Sequence, residues 1–211
     1  MTHASFGIPD AAMAIDSAEA LQRLRDGNRR FVERGPEART RWDPASATEA
    51  RPFAAVLGCS DARAPAEFVF DVGLGDLFVV RVAGNIVAPS QIGSIEFAVS
   101  AFGTPLVVVM GHTRCGAIAA TVREIESGDA AASRDIHAIT SRIRPFVEPI
   151  VTAARGAERE TVLREAMRAN VRASVAQLQH TSRLLEERCA DETLAVAGAE
   201  YELESGRVLW L

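Results

Sequence analysis

The sequence predicts an α/β fold: a mostly parallel central β-sheet flanked by helices, with an N-terminal helical arm and a C-terminal antiparallel hairpin. Three observations lead there. Three short runs, Phe53–Gly58, Leu77–Val82 and Leu106–Gly111, are Val-rich and apolar at consecutive rather than alternate positions. That pattern suits strands buried on both faces, as in a parallel sheet. Stretches with apolar residues at helical spacing alternate with these runs, which argues for strand–helix crossovers. The end of the chain, "LAVAGAEYELESGRVLWL", divides into two apolar runs about a Glu204-Ser205-Gly206 turn, the signature of a hairpin.

Taken in order, the first 15 residues read as loosely ordered. Asp16 followed by Glu19 forms a capping pair that opens a helix. Leu21, Leu24 and Phe31 give that helix its apolar stripe, and Gly35-Pro36 ends it. Residues 36–50 are polar and predicted to be loop. Between the second and third strands lies "SQIGSIEFAVSAFG", with Ile92, Ile95, Val99 and Phe102 on one helical face and Gly103 as the stop. "CGAIAATVREIE" continues as a helix after the third strand. Residues 134–154 and 158–189 are predicted helical, with Pro145 and Pro149 bending or breaking the first of them. No internal repeat or linker interrupts the pattern. The expectation is one domain over residues 1–211, with 1–35 as the N-terminal arm.

Composition narrows the function. The 211 residues are 48% hydrophobic with a net charge of −5, and the sequence pI is near 5.5. No basic surplus points to nucleic acid or an anionic membrane, so neither is expected as a partner. Three Cys are too few for a disulfide scaffold. The N-terminus lacks a basic start and an unbroken apolar core, so no secretory leader is expected. The most apolar region, residues 92–111, is interrupted by Glu96, Gly103 and Pro105 and does not read as a membrane span. The cytoplasm is the expected compartment.

The reactive residues gather at strand ends. In "VLGCSDARAP", Cys59, Asp61 and Arg63 follow the first core strand at a spacing of two; in "VVVMGHTRCGAI", His112 and Cys115 follow the third. Ligands of open α/β sheets bind beyond the carboxyl ends of the strands, where strand order reverses. Two such ends carrying Cys, Asp, His and Cys can therefore face one crevice. Two thiolates and an imidazole suit Zn²⁺, and one ion per chain is expected. Cys59, His112 and Cys115 supply three ligands; the fourth position is open to Asp61 or to water. Arg63 bears on that choice. A guanidinium forked onto Asp61 gives the carboxylate a partner other than the metal. Zinc would then lower the pKa of a bound water to roughly 7, making hydroxide available to attack a small electrophilic carbon.

The stretches "CSDAR", "GDLFVVRVAGN", "GSIEFAV" and "VVVMGHTRCGA", with weaker support from "RANVRASVAQL" and "GAEYELESGRV", resemble the successive motifs of the β-class carbonic anhydrases. The resemblance implies reversible hydration of carbon dioxide to bicarbonate and a proton. It implies zinc on Cys59, His112 and Cys115, and a dyad of Asp61 and Arg63 in which Asp61 can itself occupy the fourth zinc position in an inactive form. It implies a homodimer, or a dimer of dimers, with the N-terminal helix packed on the partner. The Gly116 backbone N–H would face a substrate oxygen, and Phe78 and Phe97 would wall the pocket. Phe97 stands where some members have Tyr, and Ala62 where many have Ser. One subgroup binds bicarbonate at a regulatory site built from Trp, Arg and Tyr; here Arg81 and Tyr201 match, but Val56 replaces the Trp. Another subgroup has a Gln upstream of the first Cys, and none occurs here between Gln22 and Gln91.

Other readings of the same residues are a carbonyl sulfide or carbon disulfide hydrolase on this scaffold, and a non-catalytic zinc module with Asp61 permanently on the metal. A nucleotide-binding domain is disfavoured because neither G-x-G-x-x-G nor G-x-x-x-x-G-K-[ST] occurs. Cys189, His3, His137 and His180 are read as lying outside the site.

Overall fold

The computed structural model describes residues 15–34, 50–154 and 156–211. The Gly35-Pro36 stop, the loop expected over most of 36–50, His3 and nearly all of the expected loose N-terminus lie outside the described residues. Within them, α1 (Ser17–Arg34) leads into β1 (Ala54–Gly58), α2 (Ala66–Val69) and β2 (Leu77–Arg81). A 3-10 turn (Ala83–Asn85) and α3 (Pro89–Phe102) carry the chain to β3 (Leu106–His112). Four helices follow: α4 (Gly116–Ser127), α5 (Arg134–Ala153), α6 (Arg159–Thr181) and α7 (Arg183–Ala190). The chain closes with β4 (Ala195–Tyr201) and β5 (Val208–Trp210).

The five strands form one sheet in the order β2-β1-β3-β4-β5. The first four run parallel, and β5 returns antiparallel to β4. After β1 the chain adds β2 on one side, then crosses back to place β3 on the other. The strand order therefore reverses between β1 and β3, and their carboxyl ends border the crevice that such a reversal opens.

Side chains alternate across the sheet with a period of two. Ala55, Leu57, Val107 and Val109 face one core, with Ile95, Ile118, Ile143, Met167 and Val171 from the helices α3–α6. Ala54, Val56, Leu106, Val108 and Met110 face the other, with Ala20 and Leu24 of α1 and Val69 of α2. Both faces of β1 and β3 are covered, which explains their unbroken apolar runs. Gly111 lets α6 lie close against β3. A Cβ there would come within 2.6 Å of Val171 and 2.7 Å of the Met167 sulfur.

Local signals act where expected. The Asp16 carboxylate accepts from the Glu19 N–H at 2.7 Å, opening α1. Gly103 ends α3 in the left-handed region, at φ 65°. Three features differ from expectation. The run at β2 is not buried on both faces: within the strand only Val80 is buried, because β2 is an edge strand. Neither proline breaks α5. Thr140, Ile143, Val147 and Val151 form its buried stripe, while Pro145 and Pro149 face solvent, where carbonyls deprived of an N–H donor can meet water. The stretch 158–189 is two helices rather than one. Ser182 is extended and accepts the Leu185 N–H on its hydroxyl oxygen, starting α7. Its hydroxyl also donates to Glu96 at 2.5 Å.

Candidate metal centre

Cys59 is the first residue past β1, His112 the last of β3, and Cys115 the N-cap of α4. The ligand atoms Sγ, imidazole N and Sγ lie within 4.8 Å of one another, and all three residues are buried. Between His112 and Cys115, Arg114 adopts a left-handed conformation, φ 57°, uncommon for a residue with a Cβ. That turn brings Cys115 back beside His112. The hairpin holds it in place: the Thr113 N–H donates to the Tyr201 carbonyl, and the Leu203 N–H donates to the Thr113 hydroxyl.

The donor set fits a tetrahedral ion. The two sulfurs are 3.9 Å apart; zinc–sulfur bonds of ~2.3 Å at a tetrahedral angle require ~3.8 Å. His112 Nδ1 donates to the Thr113 carbonyl at 2.9 Å, which fixes the tautomer and leaves Nε2 its lone pair. Nε2 is buried and has no hydrogen-bond partner. An orphaned buried nitrogen beside two thiols is costly unless an ion completes the group.

The thiols titrate as a pair. The hydrogen bond from Cys115 pulls Cys59 well below the usual thiol range, against burial, with further help from His112 and the Gly84 N–H. Cys115 is pushed up, first by Cys59 and then by burial, while the Ile118 and Ala117 N–H groups pull the other way. For His112, burial disfavours the imidazolium, but the neighbouring Cys59 outweighs it and the net direction is up. The Cys115 and His112 shifts both reflect the negative charge of Cys59, placed where a cation would sit.

Asp61 and Arg63 flank this group. Arg63 Nε donates to Asp61 Oδ1 at 2.9 Å, its Nη2 to Oδ2 at 2.7 Å, and its backbone N–H to Oδ1 at 2.9 Å. This fork, above all its side-chain hydrogen bonds, holds the Asp61 carboxyl well below the usual carboxylate range. Oδ2 lies 3.9 Å from His112 Nε2.

The structure thus brings Cys59, Asp61, Arg63, His112 and Cys115 together. Gly116 is the exposed first residue of α4 beside them. Phe78 and Phe97 pack on one another with Phe102, at centroid separations of 5.8–6.1 Å. Tyr201 pairs in register with His112, but its side chain joins the core on the α1 side with Val56. Arg81 turns to backbone instead, donating to the carbonyls of Cys59 and Asp61. Cys189 is half-buried in the helical core, and His137 and His180 are exposed on helices away from the site.

Sequence reasoning missed Gly84. Its N–H donates to Cys59 Sγ at 3.3 Å, and its carbonyl accepts from Asn170 Nδ2 at 2.9 Å. Gly84 has φ 67°, and a Cβ there would meet Ile143 at 2.8 Å and Ala117 at 3.0 Å. The available signal was the Gly in "RVAGN" at the end of an apolar strand, a position that suggests positive φ or close approach.

Fold and donor set together define a metal-binding α/β protein with a Cys-His-Cys centre at the topological switch point. Comparison with known proteins narrows this. The sequence profile described as carbonic anhydrase matches residues 54–208. A carbonic anhydrase of Mycolicibacterium smegmatis is 40% identical over 197 residues, spanning 90% of each chain. Carbonic anhydrase 2 of Mycobacterium tuberculosis is 35% identical over 195 residues, again 90% of each. In fold, the chain is similar to a tetrameric β-carbonic anhydrase of Sordaria macrospora, with TM-score 0.72 and 23% identity over 80% of this chain and 84% of that one. The chain belongs to the β-class carbonic anhydrase family, whose general activity is hydration of carbon dioxide.

Proposed function

We propose that this chain hydrates carbon dioxide reversibly with one zinc ion held by Cys59, His112 and Cys115, and that Asp61 and Arg63 govern access to the fourth position. The observation that carries this reading is the placement of Asp61: next to the donor set, yet forked by Arg63. When bound, zinc supplies Lewis-acid activation of water near neutral pH. The chain's own residues do the rest. Arg63 occupies both carboxylate oxygens, so Asp61 has a competing partner and stands beside the metal position as a hydrogen-bond acceptor. An acceptor there orients a water molecule by taking one of its hydrogens, leaving a lone pair for an incoming carbon. Gly116, with no side chain and an N–H at the start of α4, suits a hydrogen bond to a substrate oxygen. Phe78 and Phe97 offer apolar surface for a small uncharged substrate.

The test is a stopped-flow hydration assay of zinc-loaded protein at pH 8.5. Turnover that requires zinc and approaches one active centre per chain is expected; its absence would sink the reading. Parallel assays with carbonyl sulfide and carbon disulfide establish substrate preference. A metal that keeps Asp61 as a ligand at every pH, with no turnover, would instead make the centre a structural module.

We also read the protein as a homodimer or dimer of dimers. Supporting this, β2 lies at the sheet edge, and Phe68, Leu74 and Phe97 are exposed large apolar residues; the Sordaria macrospora neighbour is tetrameric. Light scattering on a sizing column decides it. Among the described residues no helix is long and apolar enough to cross a membrane. Free thiols at the metal centre suit a reducing compartment, consistent with a cytoplasmic location.

A further inference from the structure

Arg81 ends β2 in register with Gly58, directly alongside the start of the ligand loop. Sequence resemblance offers it as an anion ligand. Its observed bonds serve another purpose. Nε donates to the Cys59 carbonyl at 3.0 Å, and Nη2 to the Asp61 carbonyl at 2.5 Å. The next backbone N–H, of Val82, donates to the Gly58 carbonyl at 3.1 Å, and the Ala64 N–H donates to the Asp61 carbonyl at 3.1 Å. The end of β2 therefore takes three carbonyls of the segment that carries the first thiol and the carboxylate. Only a planar guanidinium presents two donors in a rigid fork able to bridge carbonyls two residues apart.

We propose that Arg81 is a positioning residue: by spanning the carbonyls of Cys59 and Asp61 it fixes the dyad carboxylate relative to the metal-ligating thiol. The chemistry follows from geometry. Arg63 orients the Asp61 side chain but comes from the same short loop, two residues on, and the bond from its Nη2 out of that loop, to the Arg114 carbonyl, is long at 3.5 Å. Arg81 comes from a neighbouring strand and ties the loop to the sheet. Without it, Cys59 still follows directly from β1 and can bind metal, whereas Asp61 loses the bond that ties its own carbonyl to the neighbouring strand. A displacement of about 1 Å in a reacting group is enough to lower turnover by about a hundredfold.

This inference rests on the carbon dioxide reading, so its test has one readout that does not depend on turnover. Arg81→Ala and Arg81→Lys are prepared alongside the parent, each loaded with zinc for kinetics and with cobalt(II) for visible spectra. Both variants are expected to bind one metal ion per chain. Arg81→Ala is expected to shift the cobalt bands, because the group next to the fourth position has moved. Its kcat is expected to fall about tenfold to a hundredfold with a much smaller change in KM. Arg81→Lys, with one ammonium in place of the fork, is expected to recover part of both. Cobalt bands and kcat in Arg81→Ala that match the parent would overturn the inference. So would unchanged kcat in both variants together with loss of inhibition by bicarbonate, which would make Arg81 an anion ligand. If Arg81→Ala does not fold, Arg81→Lys carries the test, and a spectrum and kcat equal to the parent's overturn the proposal. A parent inactive toward carbon dioxide removes the functional reading only; the spectral comparison still decides whether Arg81 places Asp61.

Discussion

Glu200 and Asp61 are both gripped by arginine, and the two grips differ in what they leave free. Glu200, on β4, is fully buried in the seam between the sheet and α6. Arg168 Nε lies 2.6 Å from its Oε2 and Arg164 Nε 2.5 Å from its Oε1; the same two arginines also reach Glu165 and Glu202. The Glu200 charge is thus enclosed by an ionic network. Asp61 is also forked, but by a single, half-exposed Arg63, and its Oδ2 is 3.9 Å from the orphaned nitrogen of His112. The pairing chemistry is the same in both places. At Glu200 it fastens a helix to a strand. At Asp61 it holds a charged acceptor next to a donor set without surrendering it to that set. Burial sets the energetic weight: an exposed pair contributes about 0–1 kcal/mol, whereas removing one partner of a buried pair costs about 3–5 kcal/mol.

The comparison fails at once if the group beside Asp61 is not a metal centre, so the largest expected effect is there. Cys59→Ala and His112→Ala each leave two of three donors, and both metal and hydration activity are expected to be lost. Metal analysis of purified, folded variants checks this. A full complement of zinc in either would mean that the ion sits elsewhere and would reduce Asp61–Arg63 to a surface ion pair.

Next comes the scaffold side. Glu200→Ala leaves the Arg164 and Arg168 guanidinium groups without their buried counter-charge. A loss of about 3–5 kcal/mol in folding stability is expected, read from chemical denaturation of the metal-loaded protein. Metal content per folded chain is expected to be unchanged. An unaltered denaturation midpoint would show that the network is not fastening α6 to the sheet. Gly84→Ala falls between the two regions, because Gly84 touches both the thiol and the core. Positive φ and the contact with Ile143 together are expected to cost about 1–3 kcal/mol. Zinc affinity, measured by competition with a chelator, is expected to weaken as the N–H moves off the Cys59 sulfur.

How much of this was legible beforehand depended on whether a feature was local. Strands β1 and β3 were readable because both of their faces are covered, so every residue before His112 is apolar or glycine. Gly103 and Asp16 acted through neighbours within one helical turn. The donor set was readable because strand ends converge in any doubly wound sheet, whatever the detailed packing. The edge position of β2 was not, since strand order does not appear in a pattern of apolar residues. Tolerance of Pro145 and Pro149 in α5 depended on which face of that helix the core would take. The Ser182 break rests on a local cap to the Leu185 N–H, and only the bond from the same hydroxyl to Glu96, 86 residues away, lay beyond a local pattern. Arg81 and Gly84 were visible as residues of a motif, but their bonds to the Cys59–Asp61 loop come from the neighbouring strand and the turn after it. Arg81 and Tyr201 illustrate the limit well. Resemblance groups them, yet the structure points one at backbone carbonyls and the other into the core with Val56.

The smallest effect on stability is expected at Arg63, and that smallness sharpens the comparison most. Arg63 is exposed, and its bonds to Asp61 span two residues in one loop, so little long-range structure depends on them. In metal-free protein, Arg63→Ala should alter folding stability by no more than about 1 kcal/mol. With zinc bound the same change should be decisive. Asp61 loses its competing partner while its Oδ2 still lies 3.9 Å from His112 Nε2, and the carboxylate would be expected to close onto a bound metal. Zinc is then retained, turnover falls toward background, and the cobalt(II) spectrum changes as an oxygen of Asp61 replaces solvent. Glu200→Ala should give the reverse: large loss of stability, unchanged metal content, and turnover per folded chain close to the parent's. If Arg63→Ala keeps full turnover, the fork does not hold Asp61 off the metal, and the two arginine grips differ only in burial.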